Sequence, residues 1–114
     1  MSNAKWRKLF IALAKANLNI HKAEWSFIDS EQTMILPLPT ERDLLADRFA
    51  DGRFQPFEYK WILSINVPRQ FRLKDEVGYF VKQDVELIKS VASNVGKMPI
   101  FETEEGIEIR GYDK

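Results

Sequence analysis

One histidine and a nearby glutamate are the first residues in the sequence that could do acid–base or metal chemistry. His21 and Glu24 spell H-x-x-E, which could set an imidazole beside a carboxylate. The surrounding residues 20–28, however, alternate between apolar and polar types with a period of two, as a half-buried β-strand does. Positions 21 and 24 of a strand point to opposite faces, so this spacing does not bring the two side chains together. We interpret His21 as a structural or rim histidine and predict no catalytic residue and no metal ligand.

Four glutamates near the end of the sequence form the second candidate group: Glu102, Glu104, Glu105 and Glu108. The pattern predicts a hairpin with Glu104 and Glu105 at its tip and with Glu102 facing Glu108 across the two strands. Like charges in facing positions are mildly unfavourable, and such an arrangement can be kept for binding a cation or a basic partner. Acidic residues at a hairpin tip are also typical of a solvent-exposed turn that has no binding role. No calcium-loop spacing accompanies it.

Several classes of chemistry are excluded by what the sequence lacks. It contains no cysteine and one histidine, which excludes thiolate catalysis, cysteine-based zinc sites and any centre that needs two imidazoles from one chain. Its five glycines are isolated and form no phosphate-binding loop, and its serines lack a nucleophile-elbow context. With 17 basic and 17 acidic residues, the formal charge is zero. A balanced charge argues against binding nucleic acid or anionic membranes through net charge.

Apolar periodicity predicts one α+β domain over residues 1–114, in the order α-β-β-α-β-(β)-α-β-β. Helices are expected at residues 4–17 with Asn3 as the N-cap, at 40–52, and at 85–95 with Asp84 as the N-cap and Gly96 as the stop. Strands are expected at 20–28 and 33–38, the latter at a sheet edge because of Pro37, and at 98–103 and 107–110 around a turn with Gly106.

The strongest strand signal covers residues 57–67, where six large apolar residues occupy the odd positions. This segment is predicted to lie centrally in an antiparallel sheet, with the odd positions buried beneath about three helices. Trp61 lies beside Lys60, and strand aromatics with basic neighbours can stack single-stranded nucleic acid. A wholly apolar face is more typical of a core, and we predict no nucleic-acid binding.

Residues 68–83 are predicted to form either a long charged loop or a loop with a short strand at Val77, Tyr79 and Val81. The first helix carries a basic stripe of Lys5, Lys8 and Lys15, which is interpreted as a solvated face although it could dock a partner or a membrane. No apolar run approaches the ~20 residues needed to span a bilayer, and the start of the chain does not fit a signal peptide. We expect a cytoplasmic protein without a cofactor.

Three segments of the sequence suggest a family: residues 56–65, the helix at 86–88 leading to 98–100, and residues 106–112. Together with Lys5-Trp6 they resemble a family of small, uncharacterised bacterial α+β proteins, some of whose members resemble immunity proteins of polymorphic toxin systems. The resemblance implies an α+β fold and a partner-neutralising function. The family's strand often carries acidic residues after the tryptophan, where this chain has Ser64 and Asn66. The resemblance supplies no catalytic residues.

The leading hypothesis from the sequence is a non-enzymatic protein that binds another protein. Its candidate contacts are the acidic hairpin, with Glu102, Glu104, Glu105 and Glu108, and four aromatic or arginine anchors: Arg72, Tyr79, Phe80 and Tyr112. Two alternatives stay open. One is a small-ligand sensor or accessory enzyme subunit, with His21, Glu24 and Arg110 converging in a pocket between sheet and helices. The other is a homo-oligomer that pairs through an edge strand at residues 33–38.

Overall fold

The computed structural model of the protein describes residues 1–16, 20, 22–28, 31–36, 38–39, 44, 48–49, 57–72 and 80–111. These residues contain two α-helices, a one-turn 3-10 helix and nine strands. In chain order they are α1 (Asn3–Lys15), β1 (Ala23–Phe27), β2 (Met34–Leu36), β3 (Arg48–Phe49), β4 (Phe57–Glu58), the 3-10 helix (Tyr59–Trp61), β5 (Ile62–Pro68), β6 (Gln70–Arg72), β7 (Phe80–Lys82), α2 (Val85–Val95), β8 (Ile100–Glu102) and β9 (Gly106–Arg110). The architecture is α+β, as predicted.

The main sheet has five strands in the order β2-β1-β5-β9-β8, and each neighbouring pair is antiparallel. The predicted central position of β5 and the predicted edge position of β2 are both confirmed. The hairpins β1–β2 and β8–β9 flank β5, and two further strand pairs, β3–β4 and β6–β7, lie outside this sheet.

The register of the sheet aligns residues in transverse rows whose side chains share one face. One row runs through the core: Met34, Trp25, Ile65, Ile109 and Ile100. The next row runs across the opposite side, which we call the outer face: Ile35, Glu24, Asn66, Glu108 and Phe101. The alternation of buried and exposed residues along β1 and β9 follows from this division, since successive strand residues point to opposite faces.

Helix α1 covers the core face of the sheet with its aromatic side chains. Trp6 stacks on Phe10 with ring centroids 5.3 Å apart, and Phe10 reaches Trp25 of β1 at 5.8 Å. The spacing of Trp6, Leu9, Phe10, Leu13 and Asn17 predicts one buried face. The first four are buried, and Asn17 lies outside the described residues. The predicted cap was wrong by one residue. Ser2 caps the helix because its hydroxyl accepts a hydrogen bond from the backbone N–H of Lys5.

Helix α2 has the predicted bounds and the predicted cap, since Asp84 accepts a hydrogen bond from the backbone N–H of Leu87. Its buried residues are Val85, Ile88 and Ala92, whereas Leu87, predicted to be buried, is 39% exposed. The helix therefore packs on the core through Ile88 and the partly buried Val91, as predicted, but also through Val85 and Ala92 instead of Leu87. It ends at Gly96, whose φ of 154° is a conformation that side-chain-bearing residues rarely adopt.

The predicted unbroken alternation over residues 57–67 was wrong in its middle. Tyr59, Ile65 and Val67 are buried as predicted, but Trp61 is only half-buried and Leu63 is 42% exposed. Two features change the phase. The 3-10 turn interrupts the strand, and a bulge places Ser26 opposite Ser64 but Phe27 opposite Ile62, so Leu63 has no facing residue on β1. The extra residue turns Ile62 into the core instead of Leu63.

The helix predicted over residues 40–52 was wrong at the described positions of this segment, Leu44 and residues 48–49. Arg48 and Phe49 form β3, which pairs with Phe57 and Glu58 of β4. Leu44, also predicted on the helix's apolar stripe, is buried and forms an isolated bridge. Strand pairing thus prevails over the local helical pattern at residues 48–49. Residues 40–43, 45–47 and 50–52 lie outside the described part of the chain.

The described residues of the segment 68–83 contain an antiparallel strand pair, in which β6 and β7 align Gln70 with Lys82 and Arg72 with Phe80. The predicted short strand is confirmed only at Val81, since Val77, Gly78 and Tyr79 lie outside the described residues. Gln83 follows β7 and is 5% exposed. It ties this strand pair to the main sheet.

The Gln83 side chain acts as a hydrogen-bonding clamp between β1 and β5. Its amide nitrogen donates to the carbonyls of Lys22 (3.0 Å) and Pro68 (2.9 Å), and its amide oxygen accepts from the backbone N–H of Lys22 at 3.0 Å. Its backbone N–H donates to the carbonyl of Arg69. One side chain therefore satisfies three main-chain groups at the ends of two strands.

We expect Gln83→Met to lower the free energy of unfolding by about 2 kcal/mol, because it leaves partly buried main-chain groups without partners while nearly conserving volume. The matched control is Gln70→Met on exposed β6, which should change it by less than about 0.5 kcal/mol. Urea unfolding of the two variants measures both effects. Equal midpoints would show that the Gln83 clamp adds no stability.

Candidate functional site

The acidic hairpin exists, but two of its glutamates do not face each other as predicted. Strand β8 aligns Phe101 with Glu108 and Glu102 with Ile107. Glu102 therefore shares the side of the sheet that carries Ile107, and Glu108 lies on the outer face. The expected like-charge pair was wrong because the register places the two residues on opposite faces.

Arg69 holds the tip of this hairpin. Its guanidinium Nη1 donates to the carbonyls of Thr103 (3.3 Å) and Glu104 (3.5 Å), and its backbone N–H donates to the carbonyl of Glu105 at 2.8 Å. Thr103 stabilises the turn, since its hydroxyl accepts a hydrogen bond from the backbone N–H of Gly106 at 3.0 Å. The carboxylates of Glu104 and Glu105 are thus carried on a fixed main chain. No local pattern in the sequence indicated that Arg69 would bind the main chain of this turn, because Arg69 and Thr103 lie 34 positions apart.

Glu102 is neutralised within the molecule. Its carboxylate pairs with the ammonium of Lys89 on α2, which also lies 3.5 Å from Glu86. The hydrogen bond from Lys89, with its charge, lowers the pKa of Glu102, and the same bond raises the pKa of Lys89. The sequence held no local signal for this pair, because its members are 13 positions apart.

A titration tests this pair. Because folding lowers the pKa of Glu102, the pair stabilises the folded state above the usual carboxyl pKa, and this contribution is lost as the pH falls through the lowered value. We expect Lys89→Gln to raise the titration midpoint of Glu102, followed by NMR of its side-chain carboxyl carbon. Lys97→Gln on the same side of the domain is the control. An unchanged midpoint in Lys89→Gln would contradict the pairing.

Glu108 is neutralised on the outer face. Its carboxylate accepts a hydrogen bond from Nε of Arg110 at 2.5 Å, and the same guanidinium lies 4.1 Å from the centroid of the Phe101 ring. Phe101 is 37% exposed. The three side chains form an exposed aromatic and arginine cluster at one end of the outer face.

Three other carboxylates, those of Glu24, Glu104 and Glu105, form no ion pair with any described residue. Glu24 and Glu105 line a depression of about 180 Å³, together with Ile35 and Asn66. Lys22 also borders the depression, and its ammonium lies 5.4 Å from the centroid of the Phe71 ring. The depression therefore combines an exposed apolar side chain with two carboxylates that have no ion pair among the described residues. Sequence reasoning missed it because its residues come from four separate strands and a turn.

The structure locates only part of the predicted anchor set. Arg72 and Phe80 face each other in the β6–β7 register, whereas Tyr79 and Tyr112 lie outside the described residues. The predicted ligand pocket between sheet and helices is not formed by its described members, because Glu24 and Arg110 both lie on the outer face. His21, its third member, is outside the described residues.

The opposite side of the domain has the opposite charge. Lys5, Arg7 and Lys8 of α1 are exposed, and the helix has no acidic residue in its first turn. In the ranges that the structure describes, no helix is long and apolar enough to cross a membrane. Within the same ranges, no three histidine, cysteine, aspartate or glutamate residues are grouped so that they could hold a metal ion.

Comparison with known proteins gives no family assignment. No protein-family model, no curated protein and no solved structure matches the chain. The resemblance to immunity proteins described above stays a prediction, and any function has to be argued from the surfaces of the molecule itself.

Proposed function

We propose that the chain is a non-enzymatic binding protein whose outer face and acidic hairpin tip recognise a basic region on another protein. The observation that carries the proposal is the outer row itself. It exposes Ile35 (53%) and Phe101 (37%) at its two ends, with charged and amide side chains between them. Exposed apolar side chains within a polar surface are typical of protein recognition sites, where a few aromatic, aliphatic and arginine residues contribute most of the binding energy.

The charge on this surface favours a basic partner. Arg110 is paired with Glu108. The three carboxylates without an ion pair among the described residues, those of Glu24, Glu104 and Glu105, outnumber the two positive charges beside them, those of Lys22 and Arg69. A lysine or arginine of the partner would find two carboxylates and the side chain of Ile35 in the depression. Complementary charges at such a rim mainly accelerate association and exclude acidic partners.

A toxin is the specific partner that the family resemblance suggests. In that form of the proposal, the protein binds over the active site of a toxin and so protects the cell that produces both proteins. A gene for a large secreted toxin immediately upstream, and protection of cells that co-express the two proteins, would support this form. Loss of protection in Glu104→Arg/Glu105→Arg would link it to the acidic tip.

Site-specific photocrosslinking in the native host tests the general proposal. A crosslinker placed at Ile35 should capture one protein partner, whereas one placed at Lys8 on α1 should not. With the purified partner, Glu104→Arg/Glu105→Arg should weaken binding about tenfold or more, and added salt should weaken it further. Lys8→Glu, on the opposite side of the domain, is the matched control. Equal capture at both positions, or equal affinity of the two variants, would refute the proposal.

Sedimentation of the purified chain separates this proposal from self-association. The homo-oligomer hypothesis is kept open by the position of β2 at the sheet edge. It requires a dimer that Ile35→Lys disrupts. A protein that binds a different partner through this surface should be a monomer at the same concentrations.

A further inference from the structure

A second surface lies at the other edge of the sheet, where β8 ends the five-stranded order. The hydrogen bonds beside it show which backbone groups face outward. Arg110 donates to the carbonyl of Pro99, and Thr103 donates to the carbonyl of Gly106. Bonded pairs in an antiparallel ladder recur at every second residue, so Phe101 faces β9, while Ile100 and Glu102 direct their N–H and C=O groups away from it.

Three of these outward groups have no backbone partner among the described residues: the carbonyls of Ile100 and Glu102 and the N–H of Glu102. The N–H of Ile100 donates to the carbonyl of Met98. A charged residue on an edge strand usually discourages another strand from pairing there. The carboxylate of Glu102 gives little such protection, because its ion pair with Lys89 directs it toward α2.

A groove of about 480 Å³ lies along the same edge, between β8 and the second half of α2. Ala92, Met98 and Ile100 give it an apolar floor, and Ser93 and Lys97 border it. Lys97 is exposed and has no ion pair with a described residue. A strand added to β8 would point alternate side chains into this groove, since strand residues alternate between faces.

We propose that the outer edge of β8 and this groove bind an extended segment of another polypeptide, which adds to the sheet as a further strand. The segment carries apolar side chains at alternate positions and an acidic residue that faces Lys97. Main-chain hydrogen bonds supply affinity in such β-augmentation, and the pockets for alternate side chains supply specificity. This surface is distinct from the outer row and the acidic tip, and the proposal does not depend on the function proposed above.

The probe is a fluorescein-labelled seven-residue peptide that alternates valine with threonine and carries one central glutamate. We expect saturable binding below about 1 mM, monitored by fluorescence anisotropy. A peptide with lysine in place of the glutamate should bind about fivefold more weakly. A peptide whose β8-facing amides are N-methylated should not bind detectably, because it cannot complete the ladder.

Two pairs of variants locate the site. Glu102→Pro removes the outward N–H without removing a bond to β9, and should weaken binding about tenfold or more relative to Glu102→Ala, which keeps that N–H. Ser93→Phe fills the groove and should weaken binding similarly, whereas Ser90→Phe on the same helix should not. The Ser93 pair leaves the β8 backbone intact, so it remains decisive if Glu102→Pro does not fold. Absence of binding to the wild-type chain, or equal binding by the members of the Ser93 pair, would overturn the proposal.

Discussion

Gly106→Ala is expected to lower the free energy of unfolding by about 3 kcal/mol or more, one of the largest effects of any single substitution in this chain. A Cβ at this position would lie 1.9 Å from the carbonyl oxygen of Val67 and 2.9 Å from Cα of Pro68. Both atoms belong to the neighbouring backbone, so no side chain can rotate to make room. Strand β9 would have to move away from β5 at the place where Gly106 pairs with Pro68.

The matched control is Gly96→Ala at the end of α2. A Cβ there meets nothing within 4 Å, so its cost is confined to the positive φ of 154°. That strain costs about 1–3 kcal/mol. Thermal and urea unfolding of the two variants should rank Gly106→Ala as clearly the less stable. The reverse ranking would show that β5 and β9 do not approach each other as closely as described.

Gly106 also illustrates how a correct residue can be predicted for the wrong reason. Its place beside a turn predicted an unusual backbone angle, but among the described glycines only Gly96 has a positive φ. Gly106 is required because another backbone passes close to it. Crowding between strands that are distant in sequence leaves no local pattern, whereas a turn does, so the sequence alone pointed to the turn.

The fold was predictable where one segment determines its own structure. The bounds and the Asp84 cap of α2, the buried residues of α1 and the alternation of β1 all follow from local spacing. Prediction was wrong at β3, where pairing with β4 prevails over a helical pattern, and at Leu63, where a bulge shifts the phase. Both errors arise from the neighbouring strand, which periodicity within one segment does not reveal.

The candidate site was predictable in composition but not in geometry. The sequence identified the acidic hairpin, and Glu104 and Glu105 do lie at its tip. It did not reveal that Lys89 and Arg110 neutralise the other two glutamates, or that Glu24 joins Glu105 at one depression. These groupings depend on strand order and register, which set the neighbours of each side chain across the sheet.

The second large effect is expected at Trp25. Trp25→Ala should lower the free energy of unfolding by about 3–5 kcal/mol, the usual cost of removing a large buried aromatic side chain. Trp25 is 0% exposed, stacks with Phe10 and Phe27, and donates from its indole N–H to the carbonyl of Leu36 at 3.3 Å. The substitution would open a cavity between α1 and the middle of the sheet and remove the hydrogen bond to Leu36.

Trp61 provides the comparison, because the alternation over residues 57–67 predicts that its side chain is fully buried in the core, as that of Trp25 is. It is only half-buried and lies in the 3-10 turn, so Trp61→Ala should cost about half as much or less. The turn itself persists without this side chain, since the carbonyl of Trp61 accepts from the backbone N–H of Ile28. The urea midpoints of the two variants show which of the two tryptophans is buried in the core. A larger loss in Trp61→Ala than in Trp25→Ala would restore the unbroken alternation over residues 57–67 and refute the bulge at Leu63.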